Sequence, residues 1–175
     1  MHNVDFARED VDVAVRHGDG NWPGLDATRL CAEQIFVVCS PKLLAGRDRL
    51  RQPADVLKWP LLRLEDQSEA WKRWFALADV VAPERLPGPV LNRASMLIDA
   101  AIDGQGVALA RTTLAAWDMI SGRIVRPFDL SWRPAGTYWI VNPKATAKIE
   151  KIGRFRDWLL GEAADDERRL KNLPR

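Results

Sequence analysis

Five consecutive apolar residues, Ile35-Phe36-Val37-Val38-Cys39, sharply limit what this chain can become. A strand with one wet face alternates apolar and polar residues. An unbroken apolar run instead reads as a strand buried on both faces, and such strands belong to sheets covered by helices. Gly106-Val107-Ala108-Leu109-Ala110 reads the same way. Strand-like segments also occur at Val11–Arg16, Leu61–Arg63, Arg123–Phe128 and Thr137–Val141. Between them lie helical patterns. Ser68 is placed to cap a helix over Glu69–Ala78, with Trp71, Trp74, Phe75 and Ala78 on one face. That aromatic cluster reads as core rather than as a platform for stacking bases. Ser95 opens a helix through Asp103, with Gly104 as its left-handed terminator. A helix over Leu114–Ile120 ends at Gly122. A last helix over Thr146–Glu162 carries Ile149, Ile152, Phe155, Trp158 and Leu159 as its apolar stripe. Short helical starts are expected at Lys42–Ala45 and Pro53–Leu57. Strands alternating with helices imply an α/β fold with a largely parallel sheet.

Composition narrows the function. Among 175 residues, 26 basic and 24 acidic side chains leave a net charge of +2. That balance argues against a dedicated nucleic-acid surface. Cys31 and Cys39 are the only cysteines, and they read as small apolar residues rather than a disulfide or zinc framework. The N-terminus shows no secretory pattern and no run suited to a bilayer, which makes the cytoplasm the expected compartment.

The sequence offers no positive catalytic pattern. Gly18-Asp19-Gly20 would need a third glycine where Pro23 stands, so it is not a dinucleotide fingerprint. Gly104-Gln105-Gly106 lies between helix and strand, the wrong order for holding phosphate on a helix N-terminus. There is no Gly-x-Ser-x-Gly elbow and no His-Glu-x-x-His. His2 and His17 are the only histidines, and neither has a nucleophile partner in sequence. Catalytic residues, metal ligands and cofactors are therefore expected to be none, and the chain not an enzyme. Binding has a modest signal. Arg16 and His17 end the first strand, where ligands collect in open α/β sheets. Arg16 can donate two parallel hydrogen bonds to a carboxylate, or form a structural ion pair, for instance with Asp19. Ser95 opens a helix whose free N–H groups suit an anion, or it is simply a cap.

Four strings, in order, resemble one family. FAREDVDVAVRHGDGNWPGLDATRL is similar to the first lobe of LysR-type effector domains, especially the subgroup resembling the glycine-cleavage activator. EQIFVVCSPKLLA resembles the strand crossing into the second lobe. LIDAAIDGQGVALARTTLAAWDMISGRIVRPF resembles the second lobe's ligand-facing helix, strand and next helix, and IGRFRDWLLGEA the closing helix. The resemblance spans about Phe6 to Ala163 and implies a two-lobed, type 2 periplasmic-binding-protein-like fold. It divides the chain into a first lobe (1–40 plus 138–165), a second lobe (41–137) and a disordered tail (166–175). It implies a small-molecule effector, an organic anion or amino acid, held between lobes by Arg16 and His17 on one side. Arg93, Ala94, Ser95 and Met96 would line the other side, with Leu64 and Glu65 approaching it.

The winged helix-turn-helix of the family, through which DNA is contacted, has no counterpart in these residues, nor do the first strand, first helix and second strand of lobe one. The expectation is a fragment from a truncated frame or a shifted start, with an incomplete first lobe and strand edges left open. Expected partners are an effector and a homodimer mate or an intact regulator, with no membrane. Rival readings are a solute-binding protein, a small enzyme, and an inert or dominant-negative fragment.

Overall fold

The structure is a computed structural model that describes residues 3–45, 48–65, 67 and 69–173. In chain order it contains β1 (Ala14–Gly18), β2 (Leu25–Arg29), β3 (Ile35–Cys39), β4 (Leu61–Leu64), α1 (Ala70–Leu77), β5 (Val90–Leu91) and α2 (Ala94–Ile102). There follow β6 (Val107–Arg111), α3 (Thr112–Ile120), β7 (Ser131–Trp132), β8 (Thr137–Pro143) and α4 (Glu150–Lys171). Short 3-10 turns occupy Pro41–Leu44, Pro53–Lys58 and Lys144–Thr146. The chain forms two compact units. One holds the residues up to Glu33 together with Pro134–Lys171, and the other is built from Gln34–Arg133.

The second unit is organised by β3. Its five residues are all buried, as the apolar run requires. The five-stranded sheet has the order β5-β4-β6-β3-β7. Successive strand residues point to opposite faces, so the run divides. Ile35, Val37 and Cys39 join Leu61, Val107 and Leu109 beneath Trp71, Trp74 and Phe75 of α1. Phe36 and Val38 join Leu62, Ala108 and Ala110 beneath Leu97, Ile98 and Ala101 of α2 and Ala115 of α3. Trp71 and Trp74 meet edge to face with ring centroids 5.7 Å apart, and Trp71 donates its indole N–H to the Leu62 carbonyl at 3.2 Å. The helix cluster is core, as its spacing predicts.

The sheet is not largely parallel. β4 runs parallel to β5 and β6, but β3 runs antiparallel to both β6 and β7. Strands joined through a helix, such as β4 to β5 and β5 to β6, keep one direction. β3 has no such crossover to its neighbours, and its direction depends on pairings distant in sequence. Gly106 is needed where β6 begins: a Cβ there would lie 2.2 Å from the Pro60 carbonyl oxygen.

The first unit has a three-stranded sheet, β1-β8-β2, antiparallel throughout. Ile140 and Val141 of the central strand and Ile152 of α4 are its large buried apolar side chains. The stripe on α4 splits. Ile152 is buried and Leu159 half-buried, while Ile149, Phe155 and Trp158 are exposed.

Several expectations need correction. Ile35–Cys39 pairs within the second unit's sheet, so residues 34–40 do not extend the first lobe. α4 starts at Glu150 and continues to Lys171, so residues 166–171 are helix rather than disordered tail. Glu167 anchors that stretch by accepting the Ala32 N–H at 3.1 Å. Arg123–Phe128 forms no strand; its one ladder contact is an isolated bridge from Val125 to Cys39. β2 directly follows a turn-rich segment and carries no apolar run, and β5 and β7 are only two residues long. The proposed Ser68 cap and His2 lie outside the described residues.

Candidate functional site

The carboxyl ends of β4 and β6 and the first turns of α2 and α3 border a small hollow open to solvent. Leu64 enters from β4, and Gln67 from the turn after it. Leu109, Ala110 and Arg111 finish β6 there. Ala94, Leu97 and Ile98 come from α2, and Leu114 from α3. The walls are apolar, with Gln67 and Arg111 the polar side chains on them. This is where ligands collect in open α/β sheets, because strand ends and helix starts leave unpaired backbone groups facing one crevice.

The α2 start is suited to an anion. Its N-cap is Arg93, whose side chain makes no capping hydrogen bond, and no acidic residue stands in the first turn. The first internal acceptor bond runs from Leu97 N–H to Arg93 O, which leaves the N–H groups of Ala94, Ser95 and Met96 ahead of the helical ladder. Partial positive charge therefore concentrates beside the hollow. The neighbouring start of α3 is held differently. Thr112 Oγ1 accepts the Gln34 N–H at 3.0 Å, and the Thr112 N–H reaches Gln34 O at 3.0 Å.

Of the residues expected from sequence, Leu64 and Ala94 meet in this hollow. Arg93 is the N-cap beside it, and Ser95 is the second helical residue, so Ser95 is not the cap. Ser95 and Met96 are exposed and do not line the hollow, and exposed Glu65 spends its backbone N–H on Leu91 O at 3.0 Å. Gln67 and Arg111 were missed. Arg111 carried a usable signal, since it directly follows the apolar run Gly106–Ala110 that reads as a buried strand.

Arg16 and His17 belong to the first unit. As neighbours on β1 they point to opposite faces. Arg16 is half-buried and donates through Nη2 to the Val4 carbonyl oxygen. Its guanidinium carbon stands 5.5 Å from the Phe6 ring and 5.8 Å from the Trp22 ring. Its Nε is buried and without a hydrogen-bond partner among the described residues. No ion pair with Asp19 forms. His17 is exposed and meets Tyr138 edge to face at 5.1 Å. Among the described residues no group of three or more His, Cys, Asp and Glu could hold a metal ion, and no helix is long and apolar enough to cross a membrane.

The second unit is thus a helix-covered sheet of an α/β domain with a hollow at its strand ends. The pattern of the LysR substrate-binding domain matches residues 4–164, and the chain belongs to that family. It has the type 2 periplasmic-binding-protein-like fold. It is 35% identical over 167 residues to the glycine cleavage system transcriptional activator of Escherichia coli (strain K12), covering 95% of this chain and 54% of that protein. The chain thus spans about half the length of the curated relatives it matches. The effector domain of AmpR from Pseudomonas aeruginosa superposes with a TM-score of 0.68 at 34% identity, covering 94% of this chain and 77% of that one. The AmpR effector binding domain from Citrobacter freundii gives a TM-score of 0.72 at 31% identity, covering 93% and 80%.

Proposed function

We propose that this domain senses a small organic anion or amino acid and reports its occupancy to transcription, without catalysing a reaction. The observation that carries the reading is the uncapped start of α2 opening on the apolar hollow beside Leu64, Gln67 and Arg111. A carboxylate placed there receives backbone N–H groups and the helix dipole, while the apolar walls accept a short side chain. Ala94, Ser95 and Met96 contribute as backbone donors, and Arg93 as a nearby positive charge. The relatives are named as transcriptional activators, some of them HTH-type, which supports a regulatory role and a cytoplasmic setting. Contact with DNA would fall to a helix-turn-helix segment separate from this domain.

The test is thermal melting of the chain with glycine, the other standard amino acids, acetate and succinate. A true effector at a hundredfold excess over its Kd raises Tm by roughly 5–10 °C. Ala94→Asp puts a carboxylate in the first turn, which favours the helix but repels an anionic guest. The variant should melt no lower than the parent and lose the ligand-induced rise. A folded parent that responds to no compound, or a variant that responds equally, contradicts the reading.

A further inference from the structure

The chain enters the second unit at Gln34 and leaves it after Arg133. Both passages are tied to one helix start. The ladder between β3 and β6 ends where Ile35 stands opposite Arg111, the N-cap of α3. Past that rung, Thr112 carries the pairing on to Gln34. Its N–H donates to Gln34 O at 3.0 Å, and its hydroxyl accepts the Gln34 N–H at 3.0 Å while donating to Gln34 O at 3.3 Å. The Gln34 side chain reaches the outgoing passage, where its Oε1 accepts the Ser131 hydroxyl at 3.2 Å. Ser131 opens β7, directly before the chain leaves the unit. The same helix start borders the hollow. Arg111 and Leu114 line it, whereas Thr112 holds Gln34. Side chains fan around a helix, so one turn of α3 serves both sides at once.

We infer that Thr112 and Gln34 carry occupancy of the hollow to both passages of the chain. The inference rests on the proposed role of the hollow and adds the route by which its occupancy is reported. Thr112 and Gln34 do not line the hollow, so they act as positioning residues. A guest that presses on Leu114 or draws on Arg111 acts on the turn that fixes Gln34. Gln34 in turn fixes Ser131, so the incoming and outgoing segments respond together. Losing the hydroxyl at 112 leaves the half-buried Gln34 N–H without its acceptor and loosens the first turn of α3. Coupling of this kind is reciprocal. If a guest tightens the hold on Gln34, releasing Gln34 weakens the guest by the same factor.

The probes are the compounds of the melting panel, namely glycine and the other standard amino acids, acetate and succinate. One whose Tm rise is abolished by Ala94→Asp is carried into amide hydrogen exchange by NMR on the intact chain. It should slow exchange at Gln34 and Thr112 by at least about fivefold more than at Val125. The Val125 N–H is held by Cys39 O at the other end of β3 and reports general stabilisation. Thr112→Val should weaken affinity for the same probe by at least about fivefold, and Ser131→Ala should weaken it too. Thr112→Ser, which keeps the hydroxyl, should bind as the parent does. Ser121→Ala, a hydroxyl loss at the far end of α3, should leave affinity unchanged. The exchange comparison needs no variant at 112, so it decides the matter even if Thr112→Val does not fold. Equal slowing at Gln34 and Val125 overturns the inference, as does a Thr112→Val chain with the parent's affinity. A parent for which no compound meets the Tm criterion refutes the proposed role of the hollow, and this route falls with it; melting alone distinguishes that result from the other two.

Discussion

Asp55 and Lys58 form an ion pair, Nζ to Oδ1 2.9 Å, in which the carboxylate is buried and the ammonium half-exposed. The other carboxylate oxygen accepts the backbone N–H groups of Arg51 at 2.9 Å and Gln52 at 3.0 Å. One side chain therefore ties off the start of the Pro53–Lys58 turn and fixes Val56, which is fully buried. The hydrogen bond from Lys58 and then those from Arg51 and Gln52 lower the Asp55 pKa from 3.8 to about 2.

A depressed carboxylate pKa has a definite consequence for stability. The folded state binds this proton less readily than the unfolded chain, so the contribution is complete above about pH 4 and disappears as pH falls towards 2. Urea titrations across that window should show a loss in the parent that is smaller in Asp55→Asn. At neutral pH, Asp55→Ala should cost on the order of 2 kcal/mol, as expected for hydrogen bonds to a charged acceptor. Equal acid sensitivity in the parent and the Asn variant would falsify the assignment.

Trp71 and Trp74 allow a paired comparison. Both are essentially inaccessible to solvent, and replacing either with Ala should cost about 3–5 kcal/mol. Substitution by Phe separates them. Trp71 loses its hydrogen bond to Leu62 O, whereas the Trp74 indole N–H has no partner among the described residues. Trp71→Phe should be the more damaging of the two by about 1 kcal/mol in denaturant midpoint analysis. The reverse order would contradict the described packing.

Gly106 and Gly122 should respond oppositely in kind. Ala at 106 drives a methyl group into the Pro60 carbonyl oxygen, and backbone must move. A loss of about 1–3 kcal/mol is expected. Gly122 has φ of 73° with nothing within 4 Å of an added Cβ, so Asn, which tolerates the left-handed region, should be accepted with little loss. Thermal melting of both variants distinguishes crowding from conformational cost.

Cys39 should be silent towards thiol reagents until its unit opens. Burial in β3 pushes its pKa from 9.0 up to about 12. The thiolate, the reactive form, is thus disfavoured at neutral pH. The folded state resists ionisation, so stability held below pH 9 declines as pH rises towards 12. Mass spectrometry of iodoacetamide-treated protein should find Cys39 modified only with denaturant present. Labelling under native conditions would show that β3 is not the closed strand described.

The resemblance carried by ordered strings also led to the correct family and fold, with two of its expected site residues, Leu64 and Ala94, together in the hollow. Arg16 and His17, which the resemblance puts on one side of an effector, are neighbours on β1 and point to opposite faces. Gln67 and Arg111 are separated by more than forty positions and become neighbours only when β4 and β6 pair.

Local chemistry determined the rest of what could be read directly. An apolar run such as Ile35–Cys39 cannot remain in water on either face, so double burial follows from the residues themselves. Helix ends at Gly104 and Gly122 follow likewise, since a left-handed residue stops a helix wherever it stands. Strand direction, the two-residue strands β5 and β7, and the split of α4 into one buried and one open stripe came only with tertiary structure. Each depends on which distant segment lies alongside, and a hydrogen-bonded neighbour leaves no mark in the residues it pairs with.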